Sequence, residues 1–136
     1  MIQKRTALLR QQGYSEKAID LLRENVNLGT LSPSTIKSTA QSDCGDILIL
    51  YLNIHGEKIT EVRFQYIGCA GLQAAASGLS LMLTGATLRE ALKITSEALI
   101  GFLGGLPGEK LDCVDFCIET CRKTLSRYLQ ENVVPG

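Results

Sequence analysis

Asp46-Ile47-Leu48-Ile49-Leu50-Tyr51-Leu52-Asn53-Ile54 and Lys58-Ile59-Thr60-Glu61-Val62-Arg63-Phe64-Gln65-Tyr66-Ile67, joined at Asn53-Ile54-His55-Gly56-Glu57, are the stretch whose reading decides the fold. Both runs are rich in β-branched and leucine side chains, and a glycine sits in the link, which is the signal of a β-hairpin. From Val62 onward apolar and polar residues alternate, so one face of the sheet is expected to be buried and the other wet. Immediately after Gly68-Cys69 the period changes. Leu72, Ala75, Ala76, Leu79, Met82 and Leu83 recur at helical spacing, and Gly85 stands where a left-handed residue ends a helix.

Outward from this centre, Thr35–Ala40 alternates well enough for a short edge strand, and residues 25–43 around it are polar and turn-rich. Residues 3–24 read as a helix in two pieces broken near Gly13, with Ser15 opening the second piece as N-cap. On the C-terminal side Thr87-Leu88-Arg89-Glu90 is a capping box for a short helix, and Ser96 is placed to cap another. The last helix is expected from near Asp112 to about Gln130, with acidic residues early and basic residues late, as its dipole favours. Strands first and helices later predict an α+β fold. The expected architecture is a small antiparallel sheet of about three strands with helices packed on one face, over a core of residues 35–131. The 136 residues read as a single domain, 1–136.

Charge bounds the function. Fourteen basic residues balance fourteen acidic ones, aromatics are few and tryptophan is absent. That excludes the basic stripe and stacking platforms of a nucleic-acid binder. No apolar run approaches the length of a membrane span or a signal sequence, so a cytoplasmic protein with no membrane contact is expected. In that compartment five cysteines are expected to be reduced, and an odd number leaves at least one unpaired within the chain.

Cys44, Cys69 and Cys113 share one property: each lies where a loop meets a regular element, and distant parts of a chain converge where element ends cluster. Cys69 and Cys113 are expected at helix N-termini, where backbone N–H groups and the dipole favour a thiolate. Gly45 and Gly68 let the backbone approach a bulky sulfur-containing group. The same three cysteines would also fit as small buried hydrophobes. Cys117 and Cys121 continue from Cys113 at a spacing that drifts only about 40° per step around a helix. They read as core residues, with a reserve thiol as the sharper alternative. His55, the single histidine, falls in the hairpin link, and no Ser/His/Asp arrangement is present.

Cys44-Gly45-Asp46, then the hairpin, then Gly68-Cys69-Ala70, and finally Leu106-Pro107-Gly108-Glu109-Lys110-Leu111-Asp112-Cys113 resemble the three cysteine motifs of the IscU/NifU N-terminal-type scaffold family. The steps of 25 and 44 residues between the cysteines fit that family, and Tyr14–Asp20 is similar to its opening helix. The resemblance covers roughly residues 14–130. The short second step places the chain with the IscU branch rather than the zinc-binding SufU branch, and its length implies no appended NifU-type C-terminal domains.

The resemblance implies a scaffold and not an enzyme. Such a protein accepts sulfur from a cysteine desulfurase, binds iron, builds a labile [2Fe-2S] cluster and transfers it to apo iron–sulfur proteins. It further implies Cys44, Cys69 and Cys113 as ligands, and the family's aspartate two residues after the first cysteine falls on Asp46. A carboxylate there would repel a thiolate-bound cluster or compete as a harder ligand, and either effect makes the cluster releasable. The family has histidine before the third cysteine; this chain has Asp112. The fourth ligand is therefore Asp46, Asp112 or an exogenous group, with helix capping as the structural alternative for Asp112. A carboxylate also suits Zn²⁺, so a zinc-binding or sulfur-relay paralogue of the same fold is the alternative function. The loop at 106–110 is altered from the family's chaperone-recognition sequence, which bears on an Hsp70-type chaperone as partner. Monomer and homo-oligomer both remain open.

Overall fold

The computed structural model describes residues 2–132; Met1 and residues 133–136, the ends of the expected 1–136 domain, lie outside them. Two helices, α1 (Ile2–Gln12) and α2 (Glu16–Arg23), precede three strands, β1 (Ile36–Gln41), β2 (Ile47–His55) and β3 (Lys58–Ile67). Four further helices follow: α3 (Ala70–Leu83), α4 (Leu88–Leu92), α5 (Ser96–Leu103) and α6 (Leu111–Glu131), the last preceded by a 3₁₀ turn at Gly108–Lys110. The sheet is antiparallel in the order β1-β2-β3, as the strand patterns predict.

The hairpin turns at Gly56-Glu57, with Gly56 at φ +64°, a conformation glycine reaches without steric cost. His55 is the exposed last residue of β2, opposite Lys58. Along β3, Val62 and Phe64 are buried while Glu61 and Gln65 are exposed. Ile59 is also buried although three positions from Val62, because the register slips between Asn53 and Ile54. Thr60 is the extra residue of this bulge, and its hydroxyl donates to Asn53 O. Phe64 is fully buried, which contributes roughly 1.5–3 kcal/mol of transfer free energy.

The inner face, formed by Leu48, Leu50, Leu52, Ile54, Val62 and Phe64, packs against α3 and α6. Helix α3 is enclosed from Gly71 to Ser80, so its small residues let neighbours approach closely. A Cβ on Gly78 would stand 2.7 Å from Leu103 Cδ2 of α5. Helix α6 buries Val114, Cys117, Ile118, Cys121 and Leu125 as one stripe. Cys117 and Cys121 are therefore core side chains, and burial pushes both thiols up, Cys121 to about 12.

Two capping expectations are corrected. The N-cap of α5 is Thr95, whose hydroxyl accepts from Ala98 N; Ser96 is the first helical residue and donates to Asp115 Oδ1 at 2.6 Å. Helix α6 is entered through the 3₁₀ turn with Lys110 at its N-cap, so Asp112 lies in the first turn and does not cap. The capping box at Thr87 and Glu90 forms, and Gly85 takes φ +86° just past α3.

Polar side chains on α3 hold the segment after α2. Gln73 Nε2 donates to Asn25 Oδ1, Ser77 Oγ to Val26 O, and Asn27 Nδ2 to Ser80 Oγ. The backbone of the same segment pairs with β3: Phe64 N donates to Asn27 O and Gly29 N to Phe64 O. Residues 27–29 thus cover part of the outer edge of β3, an edge that would otherwise be open to other chains.

Candidate metal centre

The three cysteines arrive at one end of the fold by different routes. Ser42–Asp46 is the turn between β1 and β2, closed by Ser42 N to Asp46 O, Gly45 N to Ser42 O and Asp46 N to Ser42 Oγ. This turn presents Cys44, which is exposed, with Gly45 at φ +88° behind it. Cys69 is the N-cap of α3. Cys113 is the third residue of α6. The N-termini of α3 and α6 meet, and the Cys69 and Cys113 sulfurs stand 3.8 Å apart.

That separation has a chemical meaning. Two sulfurs each about 2.3 Å from one tetrahedral ion stand about 3.8 Å from each other. The pair is spaced as two ligands of a single iron or zinc ion, and the soft donor set suits either. The full set is not assembled: among the described residues, no group of three or more His, Cys, Asp or Glu side chains is arranged to hold a metal ion. Cys44 lines a groove between the β1–β2 turn and α6, together with Asp112, Asp115, Phe116 and Glu119. Asp46 lies nearer the pair, packed on Gly68, where a Cβ would fall 3.1 Å from its Oδ1.

The two thiols of the pair differ. Burial works against a Cys69 thiolate, but the N–H of Leu72, the Cys113 thiol, the Lys110 charge and the N–H of Gly71 together hold its pKa below the usual value. The helix-terminus expectation is met there. It is overturned at Cys113, which is pushed up to about 12 by burial, then by the Cys69 charge and its hydrogen bond, and further by Asp46. Two thiols this close titrate as a pair, with the thiolate favoured at Cys69 by its helix end and disfavoured at Cys113.

Three neighbours escaped sequence reasoning. Lys110 lays its stem across α3 so closely that a Cβ on Gly71 would meet it at 3.0 Å, and its charge acts on both thiols. Gly71 is the residue that permits this crossing. Tyr14 is buried, and its hydroxyl is raised to about 12 by burial and then by the Cys69 and Cys113 charges. A lysine three positions before Cys113 and a glycine two after Cys69 were the only signals in the chain itself.

Comparison with known proteins adds an independent line. The NifU-like N terminal domain model matches residues 13–134. The iron-sulfur cluster assembly scaffold protein IscU 1 of Archaeoglobus fulgidus is 32% identical over 120 residues, covering 88% of this chain and 78% of its own length. The nitrogen fixation protein NifU of a Nostoc species is 35% identical over 109 residues, 74% of this chain but 36% of that longer protein. Among solved structures, a NifU-like N-terminal protein from Brucella abortus superimposes with a TM-score of 0.67 at 17% identity, covering 92% of this chain and 99% of its own. A likeness at that identity shows the shared fold. A family model spanning nearly the whole chain, together with relatives of this identity, shows that the protein belongs to the NifU-like N-terminal domain family.

Proposed function

We propose that this protein is a scaffold on which a labile [2Fe-2S] cluster is built and handed on, with residues 1–136 acting as one domain. The observation that carries the reading is the 3.8 Å spacing of Cys69 and Cys113, supported by relatives named as cluster assembly scaffolds. Cys69 and Cys113 bind as a pair, Cys44 closes over the cluster from the β1–β2 turn, and Asp46 or Asp112 supplies the acidic fourth corner. Cytoplasmic location follows the expectation from sequence; among the described residues, no helix is long and apolar enough to cross a membrane.

The chemistry begins with sulfur. A thiolate of the site attacks the outer sulfur of a cysteine desulfurase persulfide; a new S–S bond forms as the old one breaks, and the desulfurase thiolate leaves. Cys69, the thiol held below its ordinary pKa, is the group suited to that attack. An external thiol reductant, such as the excess cysteine of the assay, supplies two electrons to release each transferred sulfur as sulfide; iron is held between thiolates, and the nearby carboxylate keeps the assembled cluster releasable to apo iron–sulfur proteins. The loop at 106–110 is where an Hsp70-type chaperone would engage.

Anaerobic reconstitution with iron, cysteine and a desulfurase tests this. Visible absorption with about two irons and two sulfides per chain or dimer is expected. Stoichiometric zinc without colour would favour the zinc-binding or sulfur-relay paralogue, a reading supported by Asp112, which lines the Cys44 groove at the position where the family has histidine. Binding of no metal at all would remove both.

A further inference from the structure

We propose that Cys69 and Cys113 form a hydroperoxide-reactive dithiol site, which closes to a disulfide and so shuts the metal centre. The chemical basis is the same 3.8 Å that suits a metal. The two sulfurs stand near van der Waals contact. A disulfide needs them at about 2.05 Å, an approach of about 1.8 Å. Both side chains are half-buried, so a molecule the size of hydrogen peroxide reaches them from solvent.

The other cysteines do not compete. Cys44 lies on the β1–β2 turn and faces the groove with Asp112, and Cys117 and Cys121 are enclosed in the core. The chain thus separates its thiols into a preformed pair, one exposed outlier and two that solvent does not reach.

The reaction balances with peroxide as the oxidant. One sulfur of the pair attacks a peroxide oxygen; the S–O bond forms, the O–O bond breaks, and the departing hydroxide takes the thiol proton as water. The second sulfur attacks the resulting sulfenic sulfur; the S–S bond forms, the S–O bond breaks, and a second water leaves with the remaining proton. Two thiols lose two electrons and one peroxide gains them. A metal and a disulfide require the same two sulfurs, so each state excludes the other. That last step rests on the cluster-binding reading; the disulfide itself does not.

The test uses the full chain, free of metal, treated with one equivalent of hydrogen peroxide. The protein is alkylated in denaturant and cut after aspartate and glutamate. Asp46, Glu57 and Glu61 separate Cys44 from Cys69, and Asp115 and Glu119 separate Cys113, Cys117 and Cys121, so every cysteine falls on its own peptide. The expected result is one cross-linked peptide joining Cys69 to Cys113, a fall from five alkylated thiols to three, and full recovery with dithiothreitol. Cys44→Ser should leave the cross-link in place. A bond through Cys44, a link between chains, or five alkylated thiols would overturn the proposal. Iron uptake by the oxidised protein should fall at least tenfold and return on reduction. If the cross-link forms but the reduced protein takes up no iron, the dithiol site stands and the scaffold reading fails.

Discussion

Gly68 and Asp46 touch across the end of the sheet: a Cβ on Gly68 would fall 3.1 Å from Asp46 Oδ1 and 2.9 Å from Leu72 Cδ2. The carboxylate can turn aside, whereas Leu72 is fully buried and must shift, so Gly68→Ala should fold with some loss of stability while displacing the carboxylate. If Asp46 makes the cluster releasable, the reconstituted variant should hold its visible absorbance severalfold longer in the presence of a chelator. An unchanged half-life would show that Asp46 does not act on the cluster.

Cys69→Ser removes one jaw of the sulfur pair and leaves a weak hydroxyl ligand in its place. Bound iron or zinc should fall at least tenfold, measured by metal analysis after desalting. Full stoichiometry in this variant would take Cys69 out of the site.

Asp112 lies in the first turn of α6 beside the Cys44 groove and does not cap the helix. Asp112→His introduces a softer nitrogen donor at that corner. Longer cluster lifetime is expected in chelator challenge. No change would confine Asp112 to its favourable charge near the helix N-terminus, worth about 0.3–1 kcal/mol.

Alkaline pH should unfold the protein through its buried thiols. Cys121 is raised from 9.0 to about 12, so its neutral form stabilises the fold fully below about pH 9, and that contribution is lost as pH rises toward 12. The full shift corresponds to a contribution on the order of 4 kcal/mol. Cys121→Ala should therefore show a flatter fall in urea midpoint between pH 9 and 12 than the parent protein. Parallel curves would remove Cys121 as the cause.

Much of this was legible in the chain, and the reasons differ by element. The hairpin announced itself because alternation from Val62 to Ile67 is a property of consecutive residues. The bulge at Thr60 was not legible, since it depends on how β3 meets Asn53 across the ladder. Thr95 rather than Ser96 caps α5 because adjacent hydroxyl residues both qualify locally, and packing against Asp115 decides between them. The thiol positions followed from element ends and motif spacing. Their protonation did not: Cys113 is governed by Cys69, 44 positions away, and by burial that no local pattern reports. Lys110 and Tyr14 entered only once α3 and α6 had met.

Close packing on Gly78 gives a further check on the fold. Gly78→Ala would set a methyl group 2.7 Å from Leu103 Cδ2 and 3.2 Å from Leu99 Cδ1, both in the core. Overpacking of this kind costs roughly 1–3 kcal/mol, so thermal unfolding should shift down by several degrees. An unchanged midpoint would mean that α5 moves away from α3 without cost.

Cys44 and Asp46 ride on a five-residue turn fastened mainly to itself, whereas Cys69 and Cys113 are rooted in helices that run through the core. Cargo seated among all of them would stitch the tip of the sheet to the helical layer, a cross-tie the empty protein lacks. Filling the site should then slow protease cutting at Ser42–Asp46 more than anywhere else along the chain. The β1–β2 turn would serve as a latch whose closure reports, from outside, whether the scaffold is loaded.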